Sequence, residues 1–274
     1  MHAIRRFLPF LLVCCVLALP APAGAQVAVG ISVNVAPPAL PVYAEPPLPA
    51  DGYIFTPGYW AWAPSGYYWV PGTWVLPPSP GLLWTPGYWA FVNGAYVWYA
   101  GYWGPHVGFY GGINYGFGYF GTGYEGGYWE HDHFFYNSAI HNFGAVHVAN
   151  VYRKTVPANR GARVSFAGGP RGTAARPGPN EDAASREPHV PPSDVQSRHE
   201  TAAGGLHHAL ASVNRGRPPV AATPKPATFT GRGIVSARRP TPPAAHPAAA
   251  RPAPAARPAP AAHAPEEHGE PERR

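Results

Sequence analysis

The chain has 274 residues, of which 46% are hydrophobic and 14% aromatic but only 12% charged, with a formal net charge of +6. Charged residues make up about a quarter of an ordinary globular chain, so this composition excludes a typical Lys/Glu-rich surface. The 38 prolines and 32 glycines follow no collagen-like period and indicate a chain that is partly of low complexity.

The N-terminal segment has the pattern of a secretory signal peptide. Two arginines precede an apolar run from Phe7 to Ala18, and Ala23-Gly24-Ala25 forms an A-x-A cleavage site. We therefore expect residues 1–25 to be removed by cleavage between Ala25 and Gln26. The mature protein would be exported, and it would be periplasmic, associated with the outer membrane or secreted.

Both cysteines, Cys14 and Cys15, lie inside this apolar run. The mature chain would therefore hold no cysteine, which excludes disulfides, thiol catalysis and Cys-ligated metals. No later segment reaches the roughly 20 apolar residues that a membrane-spanning helix needs, so we expect no transmembrane segment in the mature chain.

A Pro-rich, extended lead-in is predicted for residues 26–52, and an internal repeat follows it. Phe55-Thr-Pro-Gly-Tyr-Trp-Ala61 returns as Trp84-Thr-Pro-Gly-Tyr-Trp-Ala90, at a shift of 29 residues. Each copy contains two half-repeats of the form Trp/Phe-x-x-Gly-x-Trp. The half-repeats are rich in Trp, Tyr and Val and are separated by turn residues such as Asn93-Gly94, a strong hairpin signal.

This pattern predicts an all-β fold over residues 53–104: a small antiparallel sheet made of two repeated aromatic hairpins. Positions i and i+5 of a flat strand point to opposite faces. A β-bulge at each Pro-Gly or Ala-Gly pair would return the second aromatic residue to the face of the first. Because aliphatic residues are scarce here, these aromatic residues must form the core: Phe55, Trp60, Trp69, Trp74, Trp84, Trp89, Trp98 and Trp103.

The Trp-x-x-Gly-x-Trp units resemble the YXWGXW (WXXGXW) repeat family of exported bacterial proteins, and the similarity extends over about residues 40–152. The resemblance implies a signal peptide and an envelope or secreted location. It implies no established activity and no catalytic residues that could be carried over. Some relatives are lipoproteins, but the signal segment of this chain lacks the small residue that a lipoprotein signal places before its cysteine.

Two groups of residues are candidate ligands. Tyr59, Tyr88 and Tyr102 fall on the face opposite the tryptophans, where exposed rings could stack on sugars; ordinary half-exposed tyrosines are the competing interpretation. His131, Asp132 and His133 have side chains that bind Zn²⁺ or Cu²⁺ weakly, although a polar surface turn explains them as well.

Residues 105–156 form a Gly/aromatic-rich extension that we expect to pack on the repeats. Residues 157–274 are rich in Pro and Ala and hold two aromatic residues, so a disordered basic tail is predicted.

The sequence contains no hydrolase-like carboxylate pair and no nucleophile-elbow motif, so we expect no enzyme activity and no cofactor. The leading functional hypothesis is a structural or interaction protein of the cell envelope, with another envelope protein, polysaccharide or peptidoglycan as partner. The basic tail would contact anionic envelope surfaces, and nucleic acid is not expected as a partner. A carbohydrate- or peptidoglycan-binding module and a weak periplasmic metal binder are the alternatives.

Overall fold

The computed structural model describes residues 31–156 and 164–238. The predicted signal peptide and its cleavage site lie outside the described residues, as do residues 157–163 and 239–274. Within the described parts of the chain, no helix is both long enough and apolar enough to cross a membrane.

Each repeat forms one antiparallel hairpin, and each leg of the hairpin consists of two strands. In the first repeat the inner strands β3 (Tyr59–Ala63) and β4 (Gly66–Val70) pair beside a two-residue turn, and the outer strands β2 (Ile54–Thr56) and β5 (Gly72–Val75) pair beyond them. In the second repeat the inner strands β7 (Tyr88–Val92) and β8 (Ala95–Tyr99) and the outer strands β6 (Leu83–Thr85) and β9 (Tyr102–Gly104) pair in the same way.

Pairing along the hairpin legs is interrupted at three Pro-Gly pairs and at Ala100-Gly101, but not through an extra residue on one strand. Thr56 pairs with Thr73 and Tyr59 pairs with Val70, so two residues intervene on both strands and the register is kept. The predicted one-sided bulge is thus a break shared by both legs. Proline has no N–H for the ladder, and the glycines allow the two legs to approach closely.

The result of these breaks is a single aromatic core. Seven of the eight predicted core residues are buried, and Trp98 is half-buried. Each motif aromatic residue contacts its cross-strand partner: ring centroids are 5.1 Å apart for Trp60 and Trp69, and 5.2 Å apart for Trp84 and Trp103. The all-β class is confirmed, although the strands are divided among several small sheets.

The Gly/aromatic-rich extension packs onto this core. It contains the hairpin strands β10 (Asn114–Gly116) and β11 (Tyr119–Phe120), the hairpin strands β12 (Gly127–Glu130) and β13 (His133–Asn137), and the short β14 (Val151–Tyr152). Tyr115 and Tyr136 are buried with the repeat tryptophans. Their hydroxyls donate to main-chain oxygens of the repeat domain, at Gly87 (2.6 Å) and Tyr53 (2.8 Å).

Residues 164–238, predicted to be disordered, instead form ordered elements that pack on the repeats. These elements are β15 (Phe166–Ala167), α1 (Pro179–Ala184), α2 (Asp194–Gly204), a 3-10 helix (His207–Ala209), α3 (Ala211–Asn214) and β16 (Ala222–Thr223). β15 extends the edge of β7 and β16 extends the edge of β5, both in parallel. The N-terminal β1 (Ser32–Val33) covers the edge of β8.

The prediction of disorder for residues 164–238 is wrong because much of the apolar surface that they bury belongs to another part of the chain. The first hairpin supplies the apolar surface: Tyr68 and Val70 on its outer face pack against Ala203 and Ala209, which are both buried. A segment that packs against an aromatic surface of another part of the chain needs few large apolar residues of its own to offset the entropy cost of ordering.

Candidate functional site

A cleft opens where the two hairpins meet α2. Its walls come from the Pro-Gly break of the first repeat, from the Ala100–Gly101 break of the second repeat and from one face of α2. The cleft offers about 60 Å³ to the centre of a water-sized sphere, several times the roughly 10–15 Å³ that one water molecule needs. The side chains that could contact a ligand in it are those of Tyr59, Trp84, Trp98, Gln196, His199 and Glu200.

The aromatic wall joins the two repeats. The ring of Tyr59, from β3, stacks on Trp98, from β8, with centroids 5.0 Å apart and planes 18° apart. Burial and the neighbouring carboxylate of Glu200 raise the pKa of the Tyr59 hydroxyl well above its ordinary value. This hydroxyl therefore remains protonated at any physiological pH and can donate to an acceptor.

Helix α2 fixes the polar side of the cleft. It begins with a capping box, in which Ser193 accepts from the backbone N–H of Gln196 and the Gln196 side chain accepts from that of Ser193. The same side-chain oxygen of Gln196 accepts from the indole N–H of Trp103 at 2.8 Å. The cap of the helix is thereby fastened to the second repeat.

One turn further along, His199 fastens α2 to the first repeat. Its Nε2 lies 2.7 Å from the carbonyl oxygen of Pro71, and its Nδ1 accepts from the backbone N–H of Ala227 at 2.7 Å. Since Nδ1 is the acceptor, Nε2 carries the single proton and the ring is neutral. Burial lowers the pKa of His199, against a smaller opposing effect of the Pro71 carbonyl.

Glu200 is the one charged residue among the cleft-lining residues. Its side chain is partly exposed, and it forms no salt bridge with any described residue. The cleft therefore combines aromatic and proline walls with one carboxyl side chain, which is hydrogen-bonded to the Tyr59 hydroxyl and has no cationic partner among the described residues.

The three predicted ligand tyrosines do not form an open row. Only Tyr59 lines the cleft. Tyr88 stacks on Tyr99 with centroids 5.0 Å apart, and Tyr102 is covered by the ring of His189 at 3.7 Å. Two of the three rings thus have a face occupied by a protein neighbour outside the cleft, and a sugar-stacking role for them stays a prediction.

The predicted metal ligands lie at the tip of the hairpin formed by β12 and β13. His131 and Asp132 form its two-residue turn with left-handed backbone angles (φ 44° and 61°), and His133 pairs with Glu130. The side chains of Glu130, His131, Asp132 and His133 are all exposed. In the described parts of the chain, no group of three or more His, Cys, Asp or Glu residues is assembled that could hold a metal ion. The three residues thus form an exposed polar turn, and a metal-binding role for them stays a prediction.

A buried polar pair that the sequence did not reveal joins the lead-in to the extension. Glu45 Oε1 lies 2.9 Å from His141 Nδ1, and the other carboxylate oxygen accepts from the backbone N–H of Asn142. His141 Nε2 is 3.4 Å from the Tyr124 hydroxyl. The side chains of Glu45 and His141 are almost fully buried and do not line the cleft, so we assign the pair a structural role.

This geometry defines an all-β protein of two aromatic hairpin repeats that is wrapped by its own flanking segments. Both repeats match the family model of the WXXGXW repeat, at residues 51–75 and 80–103. The chain thus carries two copies of this repeat, and the resemblance inferred from the sequence is confirmed. Comparison with curated proteins and with solved structures gives no match.

Proposed function

We propose that this chain is an exported, non-catalytic structural and interaction protein of the cell envelope, and that its C-terminal segment binds anionic envelope surfaces. The observation that carries this proposal is the charge of the folded segment 164–238. It holds nine Lys and Arg against five Asp and Glu, a net charge of +4. The nine are Arg171, Arg176, Arg186, Arg198, Arg215, Arg217, Lys225, Arg232 and Arg238, and all are exposed.

None of these nine side chains forms a salt bridge with a described residue, whereas Lys154 pairs with Glu125 at 2.7 Å. Unpaired cations near an anionic surface gain about 1 kcal/mol each, and the gain is screened by salt. Residues 31–156 carry a net charge of −3, from two basic and five acidic residues. The attraction would therefore come from the C-terminal segment.

Sedimentation of the full chain with lipid vesicles tests the proposal. We expect it to sediment with phosphatidylglycerol vesicles at low ionic strength and to be released at about 0.5 M salt, where the screening length is only a few ångströms. Arg215→Gln with Arg217→Gln should weaken binding about ten-fold or more. Lys154→Gln is the matched control, since Glu125 already neutralises Lys154. Equal binding to neutral phosphatidylcholine vesicles, or binding to neither, would contradict the proposal.

Export is tested separately by expressing the full chain in a bacterium and sequencing the N-terminus of the fractionated protein. We expect Gln26 to be the first residue and the protein to be outside the cytoplasm. An uncleaved chain in the cytoplasm would refute the export part of the proposal. If purified peptidoglycan retained the chain at high salt while anionic vesicles did not, the carbohydrate-binding alternative would replace the electrostatic one.

A further inference from the structure

We propose that the cleft between the two repeats and α2 binds an organic cation, such as a quaternary ammonium group or a lysine ammonium group. This site is distinct from the basic segment surface and does not depend on it. The proposal rests on the side chains that meet in the cleft, which come from three separate parts of the chain. Tyr59 belongs to the first repeat, Trp84 and Trp98 belong to the second, and Glu200 belongs to α2.

The charge of the cleft selects a cation. Glu200 is the one charged residue in the lining, it is partly buried, and no described Lys, Arg or His lies within salt-bridge distance of it. His199 contributes no charge, because both of its ring nitrogens are engaged in hydrogen bonds as a neutral ring. Glu200 accepts from the Tyr59 hydroxyl but has no cationic partner among the described residues, so a bound cation would supply the missing positive charge.

The aromatic wall selects an organic cation over a metal ion. The faces of Trp and Tyr rings carry negative electrostatic potential and attract ammonium and guanidinium groups, most strongly where water is excluded. A metal ion such as Ca²⁺ would need six or more oxygen ligands, whereas this cleft supplies one carboxylate among prolines and aromatic rings.

The size of the cleft excludes larger ligands. Ligand pockets for whole sugars or drug-sized molecules are typically about 300–1,000 Å³. The space here is about 60 Å³ for the centre of a water-sized sphere, which suits the tip of a side chain or a small headgroup. Tyr59 and Trp98 also cover one face of each other, so they offer no broad platform to a pyranose ring.

Calorimetric titration of the full chain with tetramethylammonium chloride, at ionic strength held constant with NaCl, tests this inference. We expect saturable binding, and an affinity at least about ten-fold lower in Glu200→Gln, which keeps the shape of the side chain but removes its charge. Glu130→Gln, which neutralises an exposed acid in β12 away from the cleft, should bind as the wild type does. Tyr59→Phe keeps the aromatic ring and frees Glu200 from the hydroxyl, so its affinity should be equal to that of the wild type or higher.

Two further titrations identify the source of the cation. Binding of choline but not of N-acetyl-lysine methylamide would indicate a headgroup ligand, and the reverse would indicate a lysine side chain of a partner protein. Absence of saturable binding to the wild-type chain would overturn the proposal. Wild-type affinity in a Glu200→Gln variant that melts at the wild-type temperature would also overturn it, as would displacement of tetramethylammonium by N-acetylglucosamine.

Discussion

At two glycines of the repeat motif, Gly58 and Gly87, a tryptophan ring on the opposite leg leaves no room for a side chain. A Cβ added to Gly58 would lie 2.7 Å from the carbonyl oxygen of Val70 and would also collide with the ring of Trp69. In the second repeat, a Cβ on Gly87 would lie 2.6 Å from the ring of Trp98. Glycine at these motif positions is therefore a packing requirement: the ring of a tryptophan on the opposite leg lies where a side chain would have to go.

This requirement predicts the effect of Gly58→Ala. The added methyl group would collide with the fully buried ring of Trp69 and with backbone atoms, and none of these can move without disturbing the core. We expect the free energy of unfolding to fall by about 1–3 kcal/mol, as is typical of overpacking. Gly205→Ala is the control, since its added Cβ would meet only an ordinary contact at 3.5 Å. Urea denaturation of both variants measures the difference, and equal stabilities would show that the motif glycine is not a packing requirement.

The two hairpins could be predicted from the sequence, whereas the ordered elements of residues 164–238 could not. The repeat, the aromatic alternation and turns such as Asn93-Gly94 are local signals, and the structure has two hairpins at these positions. The shared break at the Pro-Gly pairs was missed because pairing register depends on both legs at once.

The helical region was missed although it carries a local signal. Residues 193–217 contain no proline and begin with Ser193-Asp-Val-Gln196, a capping-box pattern. The low hydrophobicity of α2 concealed it, because its buried contacts are small residues on an aromatic surface contributed by another part of the chain. The cleft residues Gln196, His199 and Glu200 were missed for the same reason.

The docking of α2 should depend on pH through His199. Its pKa is lowered in the folded protein, whereas in the unfolded chain it should be near 6.5. As pH falls below about 6.5, the unfolded chain binds a proton that the folded chain does not. The free energy of unfolding should therefore fall, by at most about 1.4 kcal/mol per pH unit, until the folded pKa is passed. Protonation of Nδ1 also breaks the hydrogen bond from Ala227.

Stability curves from pH 8 to pH 5 test this dependence. His199→Gln should be less stable at neutral pH but should lose this part of the pH dependence. His131→Gln, which alters an exposed turn residue, should retain the dependence of the wild type. If the curve of His199→Gln ran parallel to that of the wild type, another group would be responsible.

The repeat core depends on the segments around it for hydrogen-bond acceptors, and those segments depend on the repeats for apolar surface. Three of the buried tryptophans donate their indole N–H groups to the flanking segments: Trp74 to the Pro46 carbonyl, Trp69 to the Ala221 carbonyl and Trp103 to the Gln196 side chain. An unpaired buried donor costs about 1–3 kcal/mol, so these bonds are needed once the rings are buried. The repeats alone are therefore an incomplete domain.

Truncation after Val156 should consequently destabilise the repeats themselves. It removes the acceptors of Trp69 and Trp103 and uncovers Tyr68 on the outer face of the first hairpin. We expect red-shifted tryptophan emission, easy quenching by acrylamide and loss of a cooperative thermal transition. Truncation after Arg238, which keeps every described contact, is the control and should give protected emission and a cooperative melt. Protected emission and a cooperative melt in the shorter chain would instead show that the hairpins form their core unaided, and that residues 164–238 cover it without completing it.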